Sequence, residues 1–150
     1  MGTLTSSSPA ETHALGVRLG QLLQPGDFIG LSGELGAGKT ALVRGIAEGA
    51  GVASSDVSSP TFTIVQTYAG RIPLHHADWY RLSSADELYA TGFFDLIEDG
   101  ASVVEWVDRV SVDLPMLRVA ISLLDASSRR LDLTAVGSRS RALLSSWIGA

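Results

Sequence analysis

FIGLSGELGAGKT, residues Phe28 to Thr40, is the stretch on which the fold turns. Its first half, inside "DFIGLS", is a short apolar run bounded by Gly26 and Gly33 and reads as a buried strand. From Gly33 to Thr40 it satisfies G-x-x-x-x-G-K-[ST] in full. Ala41 to Ala50 follows as a helix, with Leu42, Ile46 and Ala50 on one face. A strand, a glycine-rich loop and a helix in this order make a phosphate cradle. Glycine lets the backbone wrap an anion with its N–H groups inward. The helix start adds unpaired donors and about half a positive charge. The cradle is expected to comprise Gly33, Glu34, Leu35, Gly36, Ala37, Gly38, Lys39, Thr40 and Ala41. Lys39 should reach the β- and γ-phosphates of a nucleotide, and the Thr40 hydroxyl should ligate Mg²⁺.

Lys39 is the only lysine in the chain of 150 residues; the other ten Lys and Arg side chains are all arginine. A lysine-poor composition accounts for the rarity but not for the position. Arginine ends in a wide planar fork, lysine in a compact charge on a slim stem, and only the second can lie along phosphates in a tight loop.

Working outward, Ser8-Pro9-Ala10-Glu11 reads as a capping box with proline at the first helical position. Leu15, Leu19, Leu22 and Leu23 share a helical face, and Pro25-Gly26 ends the helix. Beyond the cradle helix, "VASSDVSSP" is a loop and "TFTIVQTYA" a strand. Gly70 and Arg71 turn into "IPLHHADWY", a strand near an edge because Pro73 cannot donate a ladder bond. Ser84 opens a short helix that stops at Gly92. "ASVVEWV" is a strand, "LRVAISLL" and "RLDLTAV" form a hairpin through "DASSR", and Ser138 to Ile148 is a closing helix with Leu143, Leu144, Trp147 and Ile148 available to the core. The fold class expected is α/β: a three-layer P-loop NTPase, one domain over residues 1–150, with a mixed, centrally parallel sheet flanked by helices.

Three further stretches bear on phosphate chemistry. "SVVE" ends an apolar strand in Glu105, either an acid beside the metal or an ordinary solvent-exposed strand end. In "HADWYRL", His76, Asp78 and Tyr80 fall on one strand face and His75 on the other. Two ligands do not hold a transition metal. Asp78 beside an Mg²⁺–phosphate site, oriented by His76, is the better reading, with a structural His–Asp pair as the alternative. In "SSPTFT", Thr61 could sense the γ-phosphate as switch-loop threonines do.

The composition, 45% hydrophobic and 18% charged, is that of a globular chain. A net charge of −5 argues against gripping nucleic acid unaided, because phosphate neutralisation dominates such affinity. Arg129, Arg130, Arg139 and Arg141 make the last quarter locally basic and read as a solvated rim. No apolar run is long enough to span a bilayer, and no secretory leader is expected from "MGTLTSSSPAETH". Met1-Gly2 with Ser6 touches a myristoylation pattern, but nothing else points to a membrane. The absence of cysteine suits a reducing cytoplasm, the expected location.

"GELGAGKTALVRG", "SPTFTIVQTY", "HADWYRL" and "VEW", in this order and at these intervals, resemble the bacterial TsaE (YjeE) family over roughly Asp27 to Trp106. The resemblance implies a small ATPase required for N6-threonylcarbamoyladenosine at position 37 of tRNA. It would work with TsaB and TsaD, tRNA being reached only through those partners, and hydrolyse ATP to drive or reset their complex. It implies ATP and Mg²⁺ as cofactors, Thr40 and Glu105 on the Mg²⁺ side, Asp78 as a catalytic or metal-proximal acid beside Lys39, and Thr61 as the switch-like threonine. Trp106 becomes a functional neighbour of Glu105. Adenine would lie near the first helix and last hairpin, by position Pro9 or Thr12 and Arg129. One position departs: Val107 stands where family members often carry proline. Two other readings compete. A small-molecule or nucleotide kinase is compatible with the phosphate loop, but only Arg44 lies near that loop and no long lid is evident. A nucleotide-gated binding module would hydrolyse little.

Overall fold

In β2 (Phe28–Gly33) alternate side chains part to opposite sides of a sheet. Ile29 and Leu31 enter one apolar cluster and Phe28 another, as a strand buried on both faces requires. A computed structural model describes residues 1–33, 38–53, 57 and 65–149. The other strands are β1 (Gly2–Ser6), β3 (Val65–Tyr68), β4 (Leu74–Asp78), β5 (Ala101–Glu105), β6 (Met116–Leu123) and β7 (Arg129–Val136). The helices are α1 (Pro9–Leu22), α2 (Lys39–Gly49), α3 (Ala85–Ala90) and α4 (Ser138–Gly149). Among the described residues the sheet runs β1-β7-β6-β2-β5-β4-β3. Strands β6, β2, β5 and β4 are mutually parallel. Antiparallel β7 and β1 extend one side and antiparallel β3 the other. The sheet is mixed and centrally parallel, with helices on its faces, as expected.

One face carries α1, α2 and α4 over a cluster that includes Leu19, Leu23, Leu42, Ile46, Val103 and Trp147. The other carries α3 and neighbouring turns over Phe28, Trp79, Leu88, Phe93, Val104 and Val107. Phe28, Trp79 and Phe93 meet edge-on, with centroids 5.9–6.2 Å apart, a favoured aromatic geometry.

Both serine caps form. The Ser8 and Ser84 hydroxyls accept from the Glu11 and Glu87 amides at 3.1 and 3.2 Å. The glutamates complete the motif differently from a capping box: each carboxylate accepts from the hydroxyl of the preceding serine, Ser7 or Ser83. At the other end of α1, Arg71 donates to the Gly20 and Leu23 carbonyls at 3.0 and 3.1 Å. The turn at Gly70 and Arg71 thereby satisfies carbonyls that a helix end leaves open.

Helices α1 and α2 touch backbone to backbone. A Cβ on Gly20 would lie 2.1 Å from the Ile46 carbonyl oxygen, and one on Gly45 2.1 Å from that of His13. Gly16 and Gly49 repeat the contact one turn away. Helix α2 therefore sits at a height dictated by α1, and its N-terminus carries Lys39.

Four features depart from the sequence expectation. The first residues form β1, paired antiparallel with β7. The strand of "ASVVEWV" stops at Glu105 because Trp106 takes a left-handed conformation (φ 58°, ψ 41°). Ile148 stays 39% exposed, lying over Gly2 while Leu143, Leu144 and Trp147 enter the core. Arg139 is no rim charge: its guanidinium donates to both carboxylate oxygens of buried Asp27 at 2.9 and 3.0 Å. The strand in "IPLHHADWY" does lie next to an edge, one place inside β3.

Candidate functional site

Parallel strands bring their carboxyl ends to one edge of the sheet, and in open α/β folds ligands bind there. Three of the candidate residues gather at that edge. Lys39 is the first residue of α2, directly after Gly38, whose φ of 103° is left-handed and suits glycine. Asp78 and Glu105 end β4 and β5 and are register partners. Both lie on the α2 side of the sheet, the side shared by Leu74, Ala101 and Val103.

Lys39 is buried. Its Nζ donates to the Gly33 carbonyl at 2.7 Å and stands 3.7 Å from the centroid of the Trp106 ring, a cation–π contact. Burial pushes the ammonium below its ordinary pKa, while Glu105, Asp78 and Asp108 pull it back up. The Asp78 carboxyl is raised above its ordinary value, chiefly by burial and further by Glu105. The Tyr80 amide, which donates to Asp78 Oδ1 at 2.8 Å, opposes this, as do His76 and Lys39. Two carboxylates crowded together disfavour ionisation, so a cation between them would be welcome.

His76 orients a different acid from the one expected. Its Nε2 lies 2.7 Å from Glu105 Oε2, while Asp78 turns to the Tyr80 amide. The two-residue period places His76 and Asp78 on one face but does not decide which neighbour the ring bonds. His75, on the opposite face as expected, contacts Thr67 Oγ1 at 2.9 Å and Asp99 Oδ1 at 2.8 Å.

Trp106 and Tyr80 extend the site outward. Their rings lie 4.9 Å apart, and the Arg109 guanidinium stands 5.3 Å from the Tyr80 ring while its Nε donates to the Tyr80 carbonyl at 3.0 Å. Lys39, Trp106, Tyr80 and Arg109 thus make one column, two adjacent rings with a cation at each end. The left-handed backbone of Trp106, costly for a bulky side chain, is what swings its ring over Lys39. Residue pattern offered no signal for this; only the resemblance pointed to Trp106. Val107, at the departing position, is buried with its methyls where a Cβ on Gly30 would intrude at 2.8 Å.

Thr40 and Ala41 follow Lys39 in the first turn of α2, with Thr40 exposed. Arg129 reaches the loop: its Nε lies 3.6 Å from where a Cβ on Gly38 would stand. Thr12 is buried, and its hydroxyl is 2.6 Å from that of Ser6; neighbouring Pro9 opens α1. Glu34, Leu35, Gly36, Ala37 and Thr61 lie outside the described residues.

The donor set suits Mg²⁺. A hydroxyl and carboxylates are the hard oxygen ligands this ion prefers, and it takes one or two carboxylates together with phosphate oxygens and water. Among the described residues no three His, Cys, Asp or Glu side chains form a metal cage, so substrate oxygens would complete the coordination.

The family model of the threonylcarbamoyl adenosine biosynthesis protein TsaE matches residues 6–131. Three relatives named tRNA threonylcarbamoyladenosine biosynthesis protein TsaE are similar over most of their length. The Treponema pallidum protein is 40% identical over 119 residues, covering 79% of this chain and 87% of its own. The Bacillus subtilis protein is 39% identical over 136 residues, covering 88% and 84%. The Streptomyces coelicolor protein is 41% identical over 135 residues, covering 83% and 90%. A crystal structure of YdiB from Bacillus subtilis matches with a TM-score of 0.76 at 29% identity, over 99% of this chain and 94% of that one.

Proposed function

The chain belongs to the TsaE family, and on that premise we propose that it is a Mg²⁺-dependent ATPase. In this reading it is a single-domain cytoplasmic accessory subunit of N6-threonylcarbamoyladenosine synthesis on tRNA. It hydrolyses ATP to drive or reset a TsaB–TsaD complex, and tRNA is held by those partners. The observation that carries the reading is the placement of Lys39. The chain's one lysine opens the helix after the glycine loop, with the Asp78 and Glu105 carboxylates in register beside it.

Each residue has work that its chemistry allows. The backbone N–H groups from Gly33 to Ala41 bind the phosphates at the positive end of α2. Lys39 leaves the Gly33 carbonyl for the β- and γ-phosphate oxygens. Thr40 and Glu105 hold Mg²⁺, which when bound neutralises charge developing on the transferring phosphoryl group. Asp78 accepts a hydrogen bond from the attacking water and orients it. Arg129 and the N-terminal part of α1, at Pro9 and Thr12, border the base. Thr61 senses the γ-phosphate.

Phosphate release and binding of a fluorescent ATP analogue test this reading. Lys39→Ala is expected to lose both, and normal hydrolysis by that variant would refute it. Asp78→Asn is expected to keep binding and lose turnover. Association with TsaB and TsaD should depend on ATP, and restored tRNA modification should require all three proteins.

A further inference from the structure

We propose that His76 and Tyr68 form a positioning pair that aims the Glu105 carboxylate, and that this pair sets the site's affinity for its divalent cation. The proposal rests on the Mg²⁺–ATP reading above. Across the ladder between β4 and β5, His76 stands opposite Val103, and Glu105 stands opposite Asp78. Glu105 therefore reaches diagonally back along the sheet to meet His76 Nε2 at 2.7 Å. An ionised carboxylate only accepts, so Nε2 carries the proton and donates. The ring's other nitrogen lies 3.0 Å from the Tyr68 hydroxyl. With Nε2 protonated, Nδ1 accepts the single Tyr68 proton, and the Gln66 side-chain amide, 2.9 Å from the same hydroxyl, then bonds it as a donor in its flipped orientation.

Both members are built into the core. His76 is 3% exposed and Tyr68 5%, whereas the Glu105 side chain keeps 13% of its surface open. The rings stand 5.9 Å apart between the apolar side chains of that face. The polar chain thus starts on edge strand β3, crosses β4, and surfaces at one carboxylate oxygen. Glu105 Oε1 has no hydrogen bond among the described residues. A glutamate at a strand end has several rotamers; a bond from a buried ring selects one and leaves the second oxygen for a further ligand. Fixing a ligand from behind is what partners of metal ligands do, and their loss characteristically weakens metal binding by about 10–100-fold.

The test compares His76→Gln, whose amide can donate where Nε2 does, with His76→Asn, whose amide reaches only the Nδ1 position, and with His76→Leu and Tyr68→Phe. Mn²⁺ bound to the protein with a non-hydrolysable ATP analogue is measured by electron paramagnetic resonance. Affinity for a fluorescent ATP analogue is measured separately in EDTA. We expect His76→Leu and His76→Asn to weaken Mn²⁺ binding about tenfold while metal-free nucleotide affinity stays within about twofold. His76→Gln should restore most of the loss, and Tyr68→Phe should show a smaller one. Unchanged Mn²⁺ affinity in the Leu and Asn variants, or a Gln variant no better than Asn, overturns the proposal. If His76→Leu fails to fold, the Gln–Asn pair and Tyr68→Phe decide. Lys39→Ala separates the two ideas: intact nucleotide binding there sinks the ATPase reading, whatever the His76 variants do.

Discussion

Lys39 holds the Gly33 carbonyl and faces Trp106, so its charge is already partnered before any phosphate arrives. Arginine at this position would bring a fork too wide for both contacts. Lys39→Arg is expected to weaken binding of a fluorescent ATP analogue at least tenfold although the charge is kept; calorimetric titration would show it. Asp78 offers a pH test. Its carboxyl is raised in the folded protein, so the folded state holds the proton more tightly than the unfolded chain. Stability then falls as pH rises through the ordinary carboxylate value to the raised one. Asp78→Asn should unfold at a higher temperature than the parent at pH 7, and the difference should vanish at pH 3, where both states of Asp78 are protonated. Lys39 was picked out by the pattern of the loop, Glu105 by its place at a strand end, and Asp78 by sharing a strand face with His76. The His76–Glu105 bond was not, because a two-residue period assigns faces and says nothing about diagonal reach between strands.

At the scale of elements, caps and stripes were readable and close approaches were not. Ser8 and Ser84 cap as their spacing implies. The leucine stripe of α1 puts Leu19 and Leu23 in the core. Gly16, Gly20, Gly45 and Gly49 are each poor helix formers taken alone, and their purpose emerges only where α1 and α2 meet. Alanine favours an isolated helix over glycine by about 1 kcal/mol. At Gly20 or Gly45 its Cβ would collide with a backbone carbonyl that cannot rotate away. Gly45→Ala is therefore expected to destabilise the protein by about 1–3 kcal/mol despite its helix propensity, measurable by urea denaturation. It should also weaken ATP binding, because α2 carries Lys39. Gly49, half-buried and nearer the end of α2, should cost less.

For the whole molecule, Arg139 ties α4 to the start of β2. Its fork closes on Asp27, whose second oxygen also accepts from the Gln24 amide at 2.8 Å. Trp147 Nε1 adds a bond to the Leu15 carbonyl at 2.9 Å. Arg139→Ala would leave the Asp27 carboxylate buried with one donor. We expect a loss of roughly 2–3 kcal/mol, less than for a fully buried pair because Arg139 is half-exposed. Thermal unfolding would record it, with ATP affinity little changed because the pair lies at the opposite end of β2 from the loop. No helix among the described residues is long and apolar enough to cross a membrane.

Local chemistry in the chain was enough for the strand and helix that flank the glycine-rich loop, for the helix starts and for the buried strands, because each depends on neighbours within about four positions. It was also enough for the family, through four motifs in a set order. The sheet order, the pairing of β1 with β7 and the glycine seam of α1 and α2 were settled only in three dimensions. So were the left-handed turn that lays Trp106 over Lys39 and the choice of Glu105 over Asp78 as the partner of His76. Each of these joins residues remote in sequence, where packing and hydrogen-bond satisfaction select among partners that local pattern leaves equivalent.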